Sequence, residues 1–520
     1  MQRTLFERAG DFRVSAAQWL KAHPFNAVAW LLISCSVLLV LTLRYDQWDG
    51  AIIADFLETR DISGVSNWLL EGQGPFLLGV LWGIQILDGW LHLVDWRVFS
   101  SFGVFIGLFG LWRVAQLIWE SELAAMLSLA VFALSPLASL HASSMHAAIF
   151  LFVGFGFLGL VAFYKGGLWR WCGIILMVLS VEIAPMCLLL PGIITVLETR
   201  KYVLTRSFDR FALVVAILLP IAYYLLYMQV FTAYGIYSTY NNFDAADVTA
   251  LLSRLVGSTL LVYFVTPFAV SCLLLIALAF ADGNLSRDRV INSVRMLLFV
   301  GLGLVVGLPY LLVNKSPEIY LALDPAGWFS PAFPVSDNSN LRHGVLTHLC
   351  MALAIGGAAV LSRSFSKHFL VGFTGLILLS QTSSFAVAWA ENFARDNDID
   401  RLVTTLSNTQ YDRHHACRIS LSDYPVYDAD RSRFYELSYY AGLAGSDRST
   451  FIFDDATSNR LLNFAINISC RSPAHQVKYG VGRAQCDALA DREWVMSDLP
   501  DCIPLLENIE SSRDGVSNPT

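Results

Sequence analysis

The chain has 520 residues, 55% of them hydrophobic and only 15% charged, with a mean hydropathy of +0.54. Soluble globular domains carry about 25% charged residues, so this composition excludes a cytosolic enzyme or a secreted domain, and no basic tract argues for nucleic acid. Apolar residues come in runs of 17 or more, the length that crosses a hydrocarbon core of about 30 Å, and they predict a multi-pass membrane protein. The formal charge of -7 resides in the tail: residues 391–520 hold 20 acidic and 13 basic side chains, whereas residues 1–390 hold 22 of each. The split predicts an all-α polytopic domain over 1–390 and a soluble domain over 391–520, long enough to bury its own core.

In chain order, Arg3, Arg8, Arg13 and Lys21 precede a first apolar run, Phe25–Leu43. The run is long for a signal peptide, and Arg44-Tyr45-Asp46 is no small-residue cleavage site, so an uncleaved anchor with a cytoplasmic N-terminus is expected. Further spans are predicted near 98–118, 122–138, 147–164, 211–230, 259–281, 296–313, 345–361 and 369–390. The stretch 76–96 carries Gln85, Asp88, His92 and Asp95 at helical spacing, one polar stripe on an apolar helix. Such a helix can lie flat in the interface. With it flat, 16 of the 22 basic residues in the membrane part fall inside, against 8 if it spans, and the positive-inside rule favours the flat helix. The stretch Trp171–Glu198 has basic clusters at both ends and Glu182-Ile183-Ala184-Pro185 at its middle. Its length is about 42 Å as one helix, too short for two crossings, so a broken hairpin is expected, its turn surrounded by protein or a water-filled cavity.

The expected architecture is therefore about eleven passes, one of them a broken hairpin, plus juxtamembrane helices and an outward C-terminal domain. The outward loops are 44–97, 137–146, 231–258 and 314–344. Cys35, Cys172, Cys187, Cys272 and Cys350 lie in or beside apolar runs as small core residues, while Cys417, Cys470, Cys486 and Cys502 are all in the tail. An even set in a soluble domain suits two disulfides in an oxidising compartment, with three pairings open. The tail also shows two short strand-like runs, Cys417–Leu421 and Thr450–Phe453, which predict a small α/β module.

Chemistry is expected at the outward face. The loop after the first run reads Arg44-Tyr45-Asp46-Gln47-Trp48-Asp49-Gly50-Ala51. Asp46 and Asp49 are three apart, so on a helical turn their carboxylates would face the same way. Such carboxylates can act as general base on a hydroxyl, or hold a hard divalent cation, Mg or Mn, against a phosphate. Solvated loop charge is the bland alternative.

An acidic pair a few residues after the first span resembles the integral-membrane GT-C glycosyltransferases, which use polyprenyl-phosphate-linked sugars. The resemblance extends to Gly72-Gln73-Gly74-Pro75-Phe76 ahead of the striped helix, and to Leu134-Ser135-Pro136 closing the third span before Ala147-Ala148-Ile149-Phe150 opens the next. It implies an acidic catalytic residue in the first outer loop, followed by juxtamembrane helices. Many family members carry a second acid in the next outer loop, whereas Leu140-His141-Ala142-Ser143-Ser144-Met145-His146 has none.

The resemblance implies a sugar moved from a polyprenyl-phosphate carrier to a glycan or lipid acceptor, with Asp49 or Asp46 as base or metal ligand and no cofactor required. It also suggests a bacterial inner membrane with a periplasmic C-terminal domain. A leaving polyprenyl phosphate needs a fixed cation, and Arg342 with His343, just ahead of a span, is the first choice, with Arg44 another outward cation. His141 and His146 could line the site or cap helix ends, and Glu182 could bind substrate or cap backbone N–H groups. The rival class is a transporter or flippase of lipid-linked glycans, which would more often show internal repeats; the chain shows none.

Overall fold

The computed structural model describes residues 22–47, 50–59, 62–88, 94–234, 287–312, 342–361, 367–407, 417–420 and 451–454. Helix α1 is Pro24–Thr42, followed by α2 Gly50–Thr59, α3 Ile62–Glu71, α4 Pro75–Asp88 and α5 Trp96–Trp119. Then come α6 Glu122–Ala133, a 3-10 segment Pro136–Ala142, α7 Ser144–Lys165, α8 Leu168–Ser180 and α9 Met186–Thr205. Helix α10 Arg210–Tyr223 runs into a π-helical turn, Tyr224–Val230. Later elements are α11 Arg287–Leu312, a 3-10 turn Arg342–Gly344, α12 Val345–Leu361 and α13 Lys367–Ser407.

Among the described residues, six helical segments are long and apolar enough to cross a membrane: Pro24–Thr42, Trp96–Trp119, Ser144–Lys165, Arg210–Val230, Arg287–Tyr310 and Arg342–Leu361. Their outer faces keep large apolar side chains exposed, among them Leu31, Leu38, Ile217, Leu218 and Leu297. Apolar faces of that extent are stable only where lipid covers them. The protein is a multi-pass membrane protein, and its candidate spans are all helical.

The chain divides into two compact units. The first comprises Met1–Leu41, Ser101–His141 and Ala147–Trp389. Within it α12 is buried almost throughout and packs on α11 and α6. Helices α5 and α7 approach backbone to backbone, because a Cβ on Gly103 would stand 2.4 Å from the Ala147 carbonyl and one on Gly154 the same distance from that of Ile106. Small residues permit that approach between apolar helices. Helix ends follow local chemistry. The Ser121 side chain caps α6, with Glu122 in its first turn, and Asp209 caps α10 by accepting from Phe211 and Ala212.

The second unit comprises Thr42–Ser100, Ala142–His146 and Ala390–Thr520. Helices α3 and α4 are joined by Gly72-Gln73-Gly74: Gly74 N–H bonds to Leu69 O at 2.7 Å and Gln73 N–H to Leu70 O, with Gln73 left-handed at φ 66. This is the paired-bond ending of a helix, and Pro75 then opens the next one.

Several expectations are corrected. Of the expected flat helix 76–96, the stretch Pro75–Asp88 is described as α4, and Asp95 stands outside any helix. The polar stripe does not run on to Asp95, whose side chain accepts from Val98 N–H and so caps α5; His92 lies outside the described residues. The expected span 122–138 breaks after Ala133, since Ser135 bonds back to the Phe132 carbonyl and Pro136 starts a tighter helix. The broken stretch resolves into α8 and α9 on either side of a turn at 181–185. Helix α13 runs without interruption through the charged stretch 391–400. Strands Cys417–Ser420 and Phe451–Asp454 pair in parallel, Cys417 opposite Phe451. The expected span 259–281, Cys470, Cys486, Cys502 and the side chain of Cys417 lie outside the described residues.

Candidate functional site

The segment 44–47 leaves α1 and is tied down residue by residue within the second unit. The backbone N–H groups of Arg44 and Tyr45 both donate to one oxygen of Asp396, at 3.0 and 2.9 Å. The Tyr45 hydroxyl donates to Asp400 at 3.0 Å, and the Gln47 side-chain amide donates to the Asn392 carbonyl at 3.2 Å. Arg44 bonds Asn397 and forms an ion pair with Asp400 at 2.8 Å. Asn392, Asp396 and Asp400 are four apart on α13 and so share a face. The arginine expected to meet a phosphate therefore already faces carboxylates.

Burial pushes the Asp396 carboxyl up, against the pull of two backbone N–H donors and Arg44. Burial, followed by the hydrogen bond to Asp400, pushes the Tyr45 phenol up to about 12. The Asp400 carboxylate raises Arg44 further.

Asp46 is fully buried. Its Oδ1 accepts from the backbone N–H of Gln47 and of Ser144, each at 2.9 Å. The Ser144 hydroxyl bonds its Oδ2 and also lies 3.1 Å from the Gly50 carbonyl. Ser144 is the first residue of α7, so a carboxylate 98 positions away satisfies an orphan N–H at that helix end. Gln47 N–H also reaches the Ala142 carbonyl at 3.3 Å. Gly50 has to be glycine: a Cβ there would stand 2.1 Å from Asp46 Oδ1 and 2.7 Å from Ser143 Oγ.

Asp46 lies in irregular backbone and is turned toward Ser144. Asp49 itself lies outside the described residues. A divalent cation at Asp46 would compete with these N–H and O–H donors for the carboxylate lone pairs. Among the described residues, no cluster of three or more His, Cys, Asp or Glu side chains could hold a metal ion.

The remaining candidates lie on separate elements. His146 is buried in the first turn of α7. His141, in the first unit, stands edge-on to Phe150 at 4.8 Å, and burial pushes its imidazole down to about 3, so it stays neutral. Arg342 and His343 form the 3-10 turn ahead of α12, also in the first unit, with the His343 ring 4.9 Å from that of Tyr310. Glu182, in the turn after α8, accepts from the Tyr227 hydroxyl at 2.5 Å.

Ser144, Gln47 and Gly50 were not singled out by sequence reasoning. Serine before an apolar helical run is an N-terminal signal, but a partner 98 residues away leaves no local trace. Asn392, Asp396 and Asp400 were not singled out either.

Fold and site together define a multi-pass helical membrane protein whose first interhelical loop is pinned by a buried carboxylate. No family model matches the chain, and no curated protein matches it. Among solved structures it is similar to the crystal structure of ArnT from Cupriavidus metallidurans bound to undecaprenyl phosphate. The identity is 14% and the TM-score 0.39, with 88% of this chain and 89% of that one covered.

Proposed function

We propose that the protein is a membrane glycosyltransferase that moves a sugar from a polyprenyl-phosphate carrier to a glycan or lipid acceptor at the outer face of the membrane. The observation that carries the reading is the acidic segment at the end of α1, held in one geometry by Ser144 and by the Asn392–Asp400 face of α13. A loop fixed in that way suits a reaction whose lipid-linked donor approaches from the bilayer.

In the proposed reaction a carboxylate takes the proton of the acceptor hydroxyl, the oxygen attacks the anomeric carbon, and the polyprenyl phosphate leaves with the bonding electron pair. The donors described on Asp46 hold it in place and suit a fixed anchor, and the base is assigned to Asp49. Arg342, with His343 beside it, is assigned to the phosphate, since a guanidinium can pair with it bidentately. The N-terminus is placed in the cytoplasm and the C-terminal domain in the periplasm of a bacterial inner membrane, tied by two disulfides among Cys417, Cys470, Cys486 and Cys502.

The test is turnover of a polyprenyl-phosphate sugar by protein in vesicles. Asp49→Asn is expected to lower kcat by about 100-fold or more, and Arg342→Ala to lower it by about 10- to 100-fold. Unchanged turnover in both variants would remove the site. Movement of a lipid-linked glycan across the bilayer with no donor consumed would make the protein a flippase instead.

A further inference from the structure

Arg206 ends α9 in the left-handed conformation, φ 57 and ψ 21, its N–H on the Tyr202 carbonyl. Glycine takes this place in a helix ending at least cost, and any other side chain strains the backbone. The Arg206 side chain is exposed, with its guanidinium carbon 5.9 Å from the centre of the Tyr202 ring, and that ring stands 6.2 Å from Phe208. Tyr202, Leu204 and Phe208 are exposed as well. A strained backbone thus carries an arginine outward on an apolar knob. Charge around the knob is sorted. Glu198 is buried and accepts from the Tyr164 hydroxyl at 3.0 Å and the Asp209 N–H at 2.7 Å, while Asp209 caps α10 and binds Arg170 at 2.7 Å. Lys201, Arg206 and Arg210 are exposed and form no ion pair among the described residues. Arg287, also exposed, donates to the Val203 carbonyl and so brings the start of α11 to the end of α9; the exposed Asp288 beside it offsets one of these four charges. Arg210 and Arg287 each open a candidate span, Arg210–Val230 and Arg287–Tyr310, which sets the knob at headgroup height on one side of the bilayer.

We propose that this knob is a binding site for an anionic phospholipid of the leaflet it borders. Arg206 takes the headgroup phosphate, Lys201, Arg210 and Arg287 supply positive charge around it, and Tyr202, Leu204 and Phe208 enter the interface beside the glycerol. Basic side chains grouped between helix ends attract such headgroups, a guanidinium can pair with two phosphate oxygens, and aromatic rings favour the same depth. The sorting of charge selects an anionic lipid over a zwitterionic one, whose own cation would meet the same arginines. The site takes no part in the proposed sugar transfer and does not depend on it.

The experiment titrates the full chain in detergent with phosphatidylglycerol and, separately, with phosphatidylcholine, and follows bound lipid by native mass spectrometry. Wild type is expected to hold phosphatidylglycerol about tenfold or more the tighter. Arg206→Gly relaxes the left-handed backbone, so its unfolding midpoint is expected to equal or exceed that of wild type while its phosphatidylglycerol affinity falls about fivefold. Lys201→Gln, at an exposed helical position, is expected to lose a similar factor. Arg113→Gln removes an exposed cation of α5 that is bonded to Gln116, and is expected to change the affinity by less than about twofold. Equal affinity of wild type for the two lipids overturns the proposal, as does wild-type affinity in Arg206→Gly or an equal loss in Arg113→Gln. Displacement of the lipid by an equimolar amount of inorganic phosphate overturns it too, since the knob would then bind free phosphate and no headgroup.

Discussion

Asp46 and Glu182 are both carboxylates at turns bordering apolar helices, and the protein treats them in opposite ways. Asp46 is fully buried and holds two backbone N–H groups and a serine hydroxyl drawn from two loops. Glu182 is half-buried and faces a tyrosine hydroxyl at 2.5 Å, on a π-helical turn. Backbone donors at a helix end cannot turn away, so they fix a carboxylate's position and charge together. A phenol on a side chain can rotate, and π-helical turns recur where a helix must adapt. The first acid meets backbone donors and the second a side-chain donor.

The largest expected effect is that of Asp46→Ala, which leaves the N–H groups of Ser144 and Gln47 without their carboxylate. A loss of about 3 kcal/mol of stability is expected, read as a lower unfolding midpoint in detergent. A change below about 0.5 kcal/mol would dissolve the contrast. Gly50→Ala comes next, at about 1–3 kcal/mol for forcing a methyl group against Asp46 Oδ1, measured in the same way. Glu182→Gln keeps an acceptor for Tyr227 and is expected to cost under about 1 kcal/mol. A loss larger than that of Asp46→Ala would reverse the comparison.

The smallest effect is spectroscopic. Tyr45 titrates at about 12 instead of 10.0 because burial and its bond to Asp400 favour the neutral phenol. A raised value in the folded protein means that this contribution to stability is complete below pH 10 and is lost as pH rises through about 12. The phenolate absorbance of wild type minus Tyr45→Phe is expected to have its midpoint near 12. A midpoint near 10 would show the strap on α13 to be open.

Much of the fold was legible because hydrophobic run length is a local property. The segments 98–118, 147–164 and 345–361 were anticipated within a few residues of α5, α7 and α12. Errors fell where apolar composition continued through a break in backbone hydrogen bonding. At 134–136, Leu134-Ser135-Pro136 ended a helix that hydropathy carried on. At 88–95 a regular polar spacing suggested one helix, although Asp95 begins another. The site was half legible. Asp46 stood out as an acid beside a span, but its orientation follows from a partner that no spacing rule connects to it.

The sequence by itself determined that the chain lives in a membrane, and where most of its long helices run, because burial in lipid needs only enough consecutive apolar residues. Only the tertiary structure decided that Asp46 faces the start of α7, that Arg44 is taken up by Asp396 and Asp400, and that Gly50 has no room for a side chain. Those outcomes depend on partners 94 or more residues away, and such distances close only when the whole chain has packed.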